Sequence, residues 1–231
     1  MSTIIQRLDE MRARMDAAAR QAGRDPDAVG LVAVSKTHPA EAVREAFDGG
    51  QTIFGENRVQ ELLAKVPLLP AALRWHLIGH LQKNKIRKVL PVVELIHGVD
   101  TTELARDIDR VAAELGLFPR VLLEVNVSGE GTKFGFKPDD LRAKIEDLLA
   151  LPRVQVEGLM TIAPYAEEAE ASRPFFVKLR ELRDEISTRT ATPLPTLSMG
   201  MSGDFEVAIA EGSTLVRIGT AIFGERPKPS G

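Results

Sequence analysis

The chain has 231 residues, 44% hydrophobic and 27% charged, with a net charge of -3 and no cysteine. This supplies core for one large domain or two small ones, argues against nucleic acid, which calls for a basic face, and excludes disulfides and thiolate metal sites. The four histidines show no metal-ligand spacing, no apolar run reaches the roughly 20 residues that span a bilayer, and the charged N-terminus is unlike a signal peptide; a cytoplasmic globular protein with no membrane or nucleic-acid partner is expected.

Residues 2–22 read as an amphipathic helix with Ile4, Ile5, Leu8, Met11, Met15 and Ala18 on one face. Gly23 and Pro26 break it. Strand-like segments follow at 31–35, 52–54, 74–79, 94–99, 120–127, 154–160, 195–199 and 214–218. Helix-like segments lie between them at about 39–49, 57–65, 82–89, 101–115, 138–150, 167–190 and 204–211, and Thr220–Gly224 forms a short closing turn or helix. Continuous alternation implies parallel strands joined by crossover helices. Several strands are apolar on both faces, as a helix-covered sheet requires. Eight units favour a closed (β/α)8 TIM barrel over an open sheet, and the turn 35–39 lacks the glycine fingerprint of a dinucleotide fold. Barrels of this kind take roughly 250 residues, so a single domain over 1–231 is expected. Residues 1–25 would form an extra N-terminal helix packed on the barrel, and Pro-rich 226–231 a tail.

Active sites of such barrels lie where strands end and loops begin. The first strand delivers Lys36 to its carboxyl end. A lysine there reads by default as a solvated loop residue. If it points inward, however, Val32 and Val34 share its face by the two-residue period. Desolvation on that apolar floor favours the neutral, nucleophilic amine.

The anion argument is independent of Lys36. Phosphate commonly sits after strands seven and eight of these barrels. Here those loops hold Ser198, Gly200, Ser202 and Gly203, then Gly219 and Thr220. Glycines admit close backbone approach, hydroxyls donate, and a helix starting near Thr220 offers free amides. Asp204 and Glu206 follow the first loop and repel an anion, so Gly219 and Thr220 carry more weight than Gly203. One amine facing a distant phosphate cradle is what pyridoxal 5′-phosphate (PLP) requires, the amine for its aldehyde as a Schiff base and the cradle for its phosphate.

Arg217 shares a face with Leu215 and Gly219. If it points inward it needs a partner, either an acid such as Glu124 or the pyridine nitrogen of the cofactor. An arginine at that nitrogen disfavours its protonation and weakens the ring as an electron sink. His76 reads as a hydrogen-bonded barrel histidine, and His80, at a strand end, as a pocket candidate. Lys83, Lys85, Arg87 and Lys88 read as a solvated helix face or as a contact for an anion or partner.

Taken together, Val32-Ala-Val-Ser-Lys36, Phe54-Gly-Glu-Asn57, Trp75-His-Leu-Ile-Gly-His80-Leu-Gln, Val125-Asn-Val-Ser128, Lys133-Phe-Gly-Phe136, Gly158-Leu-Met160, Leu197-Ser-Met-Gly-Met-Ser202 and Val216-Arg-Ile-Gly-Thr-Ala-Ile-Phe-Gly224 closely resemble the pyridoxal phosphate homeostasis protein family over nearly the whole chain. The resemblance implies an alanine-racemase-like barrel (PLP fold type III) with Lys36 as the Schiff-base lysine. It places Asn57 and Met160 beside the ring and Arg217 at the ring nitrogen, with the phosphate held by residues among Ser198–Gly203 and Arg217–Thr220, that is Ser198, Ser202, Gly203, Gly219 and Thr220. The chain departs from the family at Arg58, where tyrosine is common after Glu-Asn, and in 97–100, which lacks a serine before Val-Asp. The implied role is to buffer PLP or deliver it to PLP-dependent apo-enzymes, as a monomer without catalytic activity.

Two rivals use the same residues. An amino-acid racemase needs acid-base groups on both faces of the substrate carbon; racemase relatives take the second from a tyrosine in a β-rich domain, whereas this chain stops just after its last barrel strand and has only Tyr165, in the loop after 160–164. A cofactor-free Schiff-base aldolase would use Lys36 directly on a sugar phosphate.

Overall fold

The computed structural model describes residues 2–131 and 134–225. Lys133 of the Lys133–Phe136 motif and the proposed tail 226–231 lie outside the described residues. Helix α1 (Ile4–Gln21) starts at Thr3, whose hydroxyl accepts from the Gln6 amide while the Gln6 side chain accepts from the Thr3 amide. This reciprocal cap satisfies amides that a helix start leaves without partners. There follow β1 (Gly30–Val34), α2 (Ala40–Asp48), β2 (Ile53–Glu56), α3 (Val59–Lys65), β3 (Arg74–Leu77), α4 (Ile86–Val89), β4 (Leu95–Val99) and α5 (Thr102–Leu115). The second half comprises β5 (Arg120–Glu124), α6 (Pro138–Leu149), β6 (Gln155–Met160), α7 (Arg173–Thr190), β7 (Thr196–Ser198), α8 (Phe205–Ala210), β8 (Leu215–Ile218) and α9 (Thr220–Phe223).

The strands pair in sequence order into a closed barrel. β1 completes it by pairing in parallel with β8, Gly30 opposite Leu215 and Ala33 opposite Ile218. The eight-stranded parallel barrel with crossover helices is therefore as expected. Alternation divides the strand residues between two environments. Leu31 and Ala33 face outward into a core shared with α1, α2 and α8. Val32 and Val34 face inward and pack with Ile78. Leu95, Leu122 and Met160 form a second interior cluster. The interior is thus packed in layers and leaves its opening at the carboxyl ends of the strands.

Local differences from the sequence reading have identifiable causes. The segment 120–127 stays in the barrel only to Glu124, because Phe136 donates its amide to the Glu124 carbonyl and accepts from the Asn126 amide, drawing the chain out of the ladder. Helix 167–190 begins at Arg173, where Pro174 occupies the first turn; proline needs no acceptor there and has the right φ. On α1 the buried face is Ile4, Leu8, Met11, Met15 and Ala19, with the expected Ala18 half-buried against the same core, while Ile5 is exposed. This helix packs on α2, α8 and α9. Arg7 Nε donates to the Ile222 carbonyl at 2.5 Å, and Arg14 pairs with Glu206 at 3.0 Å.

Leu8 is fully buried at that contact. Leu8→Ala should lower the unfolding free energy by about 3 kcal/mol, read by urea denaturation. A single transition for wild type and variant is expected, and separate melting of the N-terminal helix would show that it is an independent appendage.

Candidate functional site

A cavity of about 750 Å3 opens at the carboxyl ends of the strands. Val34 and Lys36 line it from the end of β1, Gly219 and Thr220 from the end of the neighbouring β8, and Ser202 and Gly203 from the loop after β7. Asn57, His80, Glu124 and Arg217 supply polar groups elsewhere. The β1–β8 seam is tight: a Cβ on Gly219 would lie 3.2 Å from the Val34 carbonyl oxygen. Of the ten residues expected at a site, eight line this cavity. Met160 does not; it is buried in the barrel interior with Leu95 and Leu122. Ser198 is also buried beneath the cavity and bonds to Arg217.

Arg217 is buried and held from two sides. Nη1 donates to Ser198 Oγ at 2.5 Å and Nη2 to the Thr161 carbonyl at 2.9 Å. An ion pair with Glu124, one of the two partners considered for it, is not among the contacts of the described residues, although the two charges lie close enough to influence each other. The chain of bonds continues downward, with Ser198 Oγ 2.9 Å from His97 Nδ1 and His97 Nε2 3.0 Å from His76 Nδ1. A guanidinium only donates. A proton order that satisfies every link therefore has the Ser198 hydroxyl donating to His97 and the His97 Nε2–H donating to His76. Both imidazoles are neutral: burial holds His76 down at about 4 and His97 well below its ordinary value. His76 is thus the hydrogen-bonded barrel histidine that the sequence suggests; its partner His97 has no local signature, because pairing across β3 and β4 depends on register. Burial also lowers Arg217, to about 10, which leaves it cationic at neutral pH.

His80 sits at the rim, with Nδ1 2.8 Å from Asp100 Oδ2 and its ring stacked on Phe134 at 4.5 Å between centroids. The loop after β7 disposes of its acids. Asp204 Oδ1 accepts from the Met201 amide at 2.7 Å, and Glu206 turns to Arg14. The repulsion anticipated from these two carboxylates is thus relieved by their own partners. Asn57 is placed by Gly79, where a Cβ would come within 2.4 Å of the Asn57 carbonyl oxygen. The rim adds apolar groups that sequence reasoning missed: Phe134, Ile162 and Met201, alongside Tyr165, which is 93% exposed.

Comparison with known proteins identifies the family and the fold. The family model described as the alanine racemase N-terminal domain matches residues 6–227. A relative from Aquifex aeolicus named pyridoxal phosphate homeostasis protein is 49% identical, with 96% of this chain and 97% of the relative covered. The chain belongs to the pyridoxal phosphate homeostasis protein family. Among solved structures, PipY of Synechococcus elongatus with PLP bound superposes with a TM-score of 0.85 at 42% identity, covering 96% of this chain and all of that one. Alanine racemase of Clostridium difficile 630 shares the fold at a TM-score of 0.73 and 16% identity, with 94% of this chain matching 56% of that one.

Glu124 is the titrating group on the cavity floor. Burial, reinforced by Asp100, pushes it up to about 7 against the opposing pull of Arg217 and His80. An unfolded glutamate ionises near 4.5, so the folded state holds a proton that the unfolded state has released. The resulting stability is full below pH 4.5 and is lost as pH rises to about 7, on the order of 3 kcal/mol. Glu124→Gln should therefore gain stability over wild type as pH rises from 5 to 8, read by thermal unfolding of cofactor-free protein. An unchanging difference across that range would place the carboxyl in an ordinary aqueous setting.

Proposed function

We propose that this protein binds PLP in the barrel-mouth cavity, holds it covalently on Lys36, and serves PLP homeostasis by buffering the cofactor or delivering it to apo-enzymes. The observation that carries this reading is that Lys36, Ser202, Gly203, Gly219 and Thr220 line one cavity, with β1 and β8 paired side by side beneath it. When bound, PLP supplies an aldehyde that condenses with a primary amine with loss of water. The residues fit it: an amine lies at one wall, and hydroxyls and glycine backbone beside it offer donors to a phosphate. Ser202 and Thr220 take the direct anion role, and Ser198 acts through Arg217. Asn57 and His80 border the ring, and Arg217 faces its nitrogen. Met160, expected beside the ring, is packed with Leu95 and Leu122 and is not part of the cavity lining.

The same geometry supports a carrier over a racemase or an aldolase. Racemisation needs a second acid-base group opposite the lysine, and Tyr165, the sole tyrosine of the chain, stands at the open rim. Arg217 is a donor anchored to neutral partners and is poorly suited to protonate a ring nitrogen, which weakens carbanion chemistry. An open, apolar-edged mouth suits exchange of a ligand with a partner. We read the whole chain, 1–231, as one such domain, acting as a cytoplasmic monomer. No helix among the described residues is long and apolar enough to cross a membrane.

Incubation with PLP followed by borohydride should fix a pyridoxyl group on Lys36, located by peptide mass spectrometry. Lys36→Ala should lose that adduct and retain weaker binding driven by the phosphate, with affinity down at least about tenfold. A colourless wild-type protein left unmodified would favour the cofactor-free aldolase. Production of D-alanine from L-alanine in deuterated water, beyond one equivalent per protein, would establish the racemase. Arg217→Ala should shift the absorption spectrum and weaken binding; an unaltered spectrum and affinity would remove this residue from the ring.

A further inference from the structure

Immediately behind Lys36, on the outer side of the barrel wall, lies a buried polar cluster that the cavity does not use. Ser35 points outward, and its hydroxyl donates to Glu56 Oε1 at 2.7 Å. Lys65 Nζ donates to the same carboxylate oxygen at 2.5 Å and to the Ser35 carbonyl at 2.8 Å. Glu56 is fully buried and Lys65 nearly so. On the other side of Lys36, the Thr37 amide donates to Glu61 Oε2 at 2.9 Å. Thr37 has φ +66°, a left-handed conformation that a β-branched residue adopts only when its surroundings impose it.

The Ser35 carbonyl belongs to the peptide group preceding Lys36, and the Thr37 amide to the one following it. Both peptide planes at the Lys36 Cα are therefore gripped, and the grips come from one helix. Glu61 and Lys65 lie four residues apart on α3 and so share a face. Glu56, at the end of β2, ties Lys65 to Ser35.

We propose that Glu56, Glu61 and Lys65 are positioning residues for Lys36, fixing the direction in which its side chain enters the cavity. The inference rests on the reading of Lys36 as the amine that takes the cofactor. A buried ion pair is a weak source of stability, and well-packed apolar replacements of both partners are often neutral, whereas removing one partner strands the other. Positioning is different: a small misplacement of a reacting group costs up to about a hundredfold in rate. Stability and reactivity should therefore separate.

Two variants test this. Glu61→Ala acts at a partly exposed side chain, and the double variant Glu56→Leu with Lys65→Met removes both buried charges together. On mixing with PLP, each should form the visible adduct at least about tenfold more slowly than wild type, with borohydride trapping still placing it on Lys36. Affinity for pyridoxine 5′-phosphate, which has an alcohol in place of the aldehyde, should stay within about twofold of wild type, because its phosphate contacts lie across the seam. Independently of any ligand, Glu61→Ala should speed hydrogen exchange at the Thr37 amide by about tenfold. Folded variants with wild-type adduct rates would overturn the positioning role, as would unchanged Thr37 exchange. If wild type itself forms no adduct at Lys36, the cofactor reading fails, and the Thr37 exchange still decides whether the grip exists.

Discussion

Pairing of β1 with β2 and β8 fixes the side of the barrel wall that each β1 residue faces. Val32 and Val34 go in, Leu31 and Ala33 go out, and the same parity carries Lys36 to the cavity and Ser35 to the layer beneath the helices. A slip of one residue would exchange all of these, placing the hydroxyl at the mouth and the amine in the outer core. The apolar pressure on both faces holds this register, since neither Ala33 nor Val32 tolerates the opposite environment without loss of packing. The chemistry at the mouth is thus secured by hydrophobic burial several residues away.

The barrel interior balances that apolar packing against a thread of polar groups. Arg217, Ser198, His97 and His76 form one connected line through the interior, and a buried polar line is tolerable only when its links are made. A neutral His97 meets this requirement, accepting at one nitrogen and donating at the other. A charged imidazole in the middle would face Arg217 with a like charge and take away the acceptor of the Ser198 hydroxyl hydrogen. Burial, by keeping both rings neutral, protects the orientation of the guanidinium. Glu124 stands apart from this line, and its ionisation changes the charge of the cavity floor without breaking a link in it.

Much of this arrangement was legible from the residues in order. The alternation of strand-like and helix-like segments pointed to the barrel, because each crossover unit carries its own periodicity. Parity placed Lys36, and small residues after the last two strands marked the seam. What the pattern could not show is side-chain company across elements. Arg217 found Ser198 and Thr161 in place of Glu124, because a buried guanidinium takes whichever oxygens the neighbouring strands present at its height. Met160 ended packed with Leu95 and Leu122, outside the cavity lining, because which inward side chains it meets depends on the register of neighbouring strands. The grip of α3 on the peptide groups around Lys36 left no local signature, because Glu61 and Lys65 look like ordinary charges of an amphipathic helix until the helix is docked.

Closure of the ring by its first and last strands has a consequence for biosynthesis. The two halves of the cavity wall are encoded far apart in the chain, so a ribosome-bound chain that has yet to release β8 presents Lys36 without Gly219 and Thr220 beside it. Contacts of such long sequence separation form late and slowly. Completion of the cavity wall therefore waits until β8 has emerged, and a product truncated before it would lack Arg217, Gly219 and Thr220.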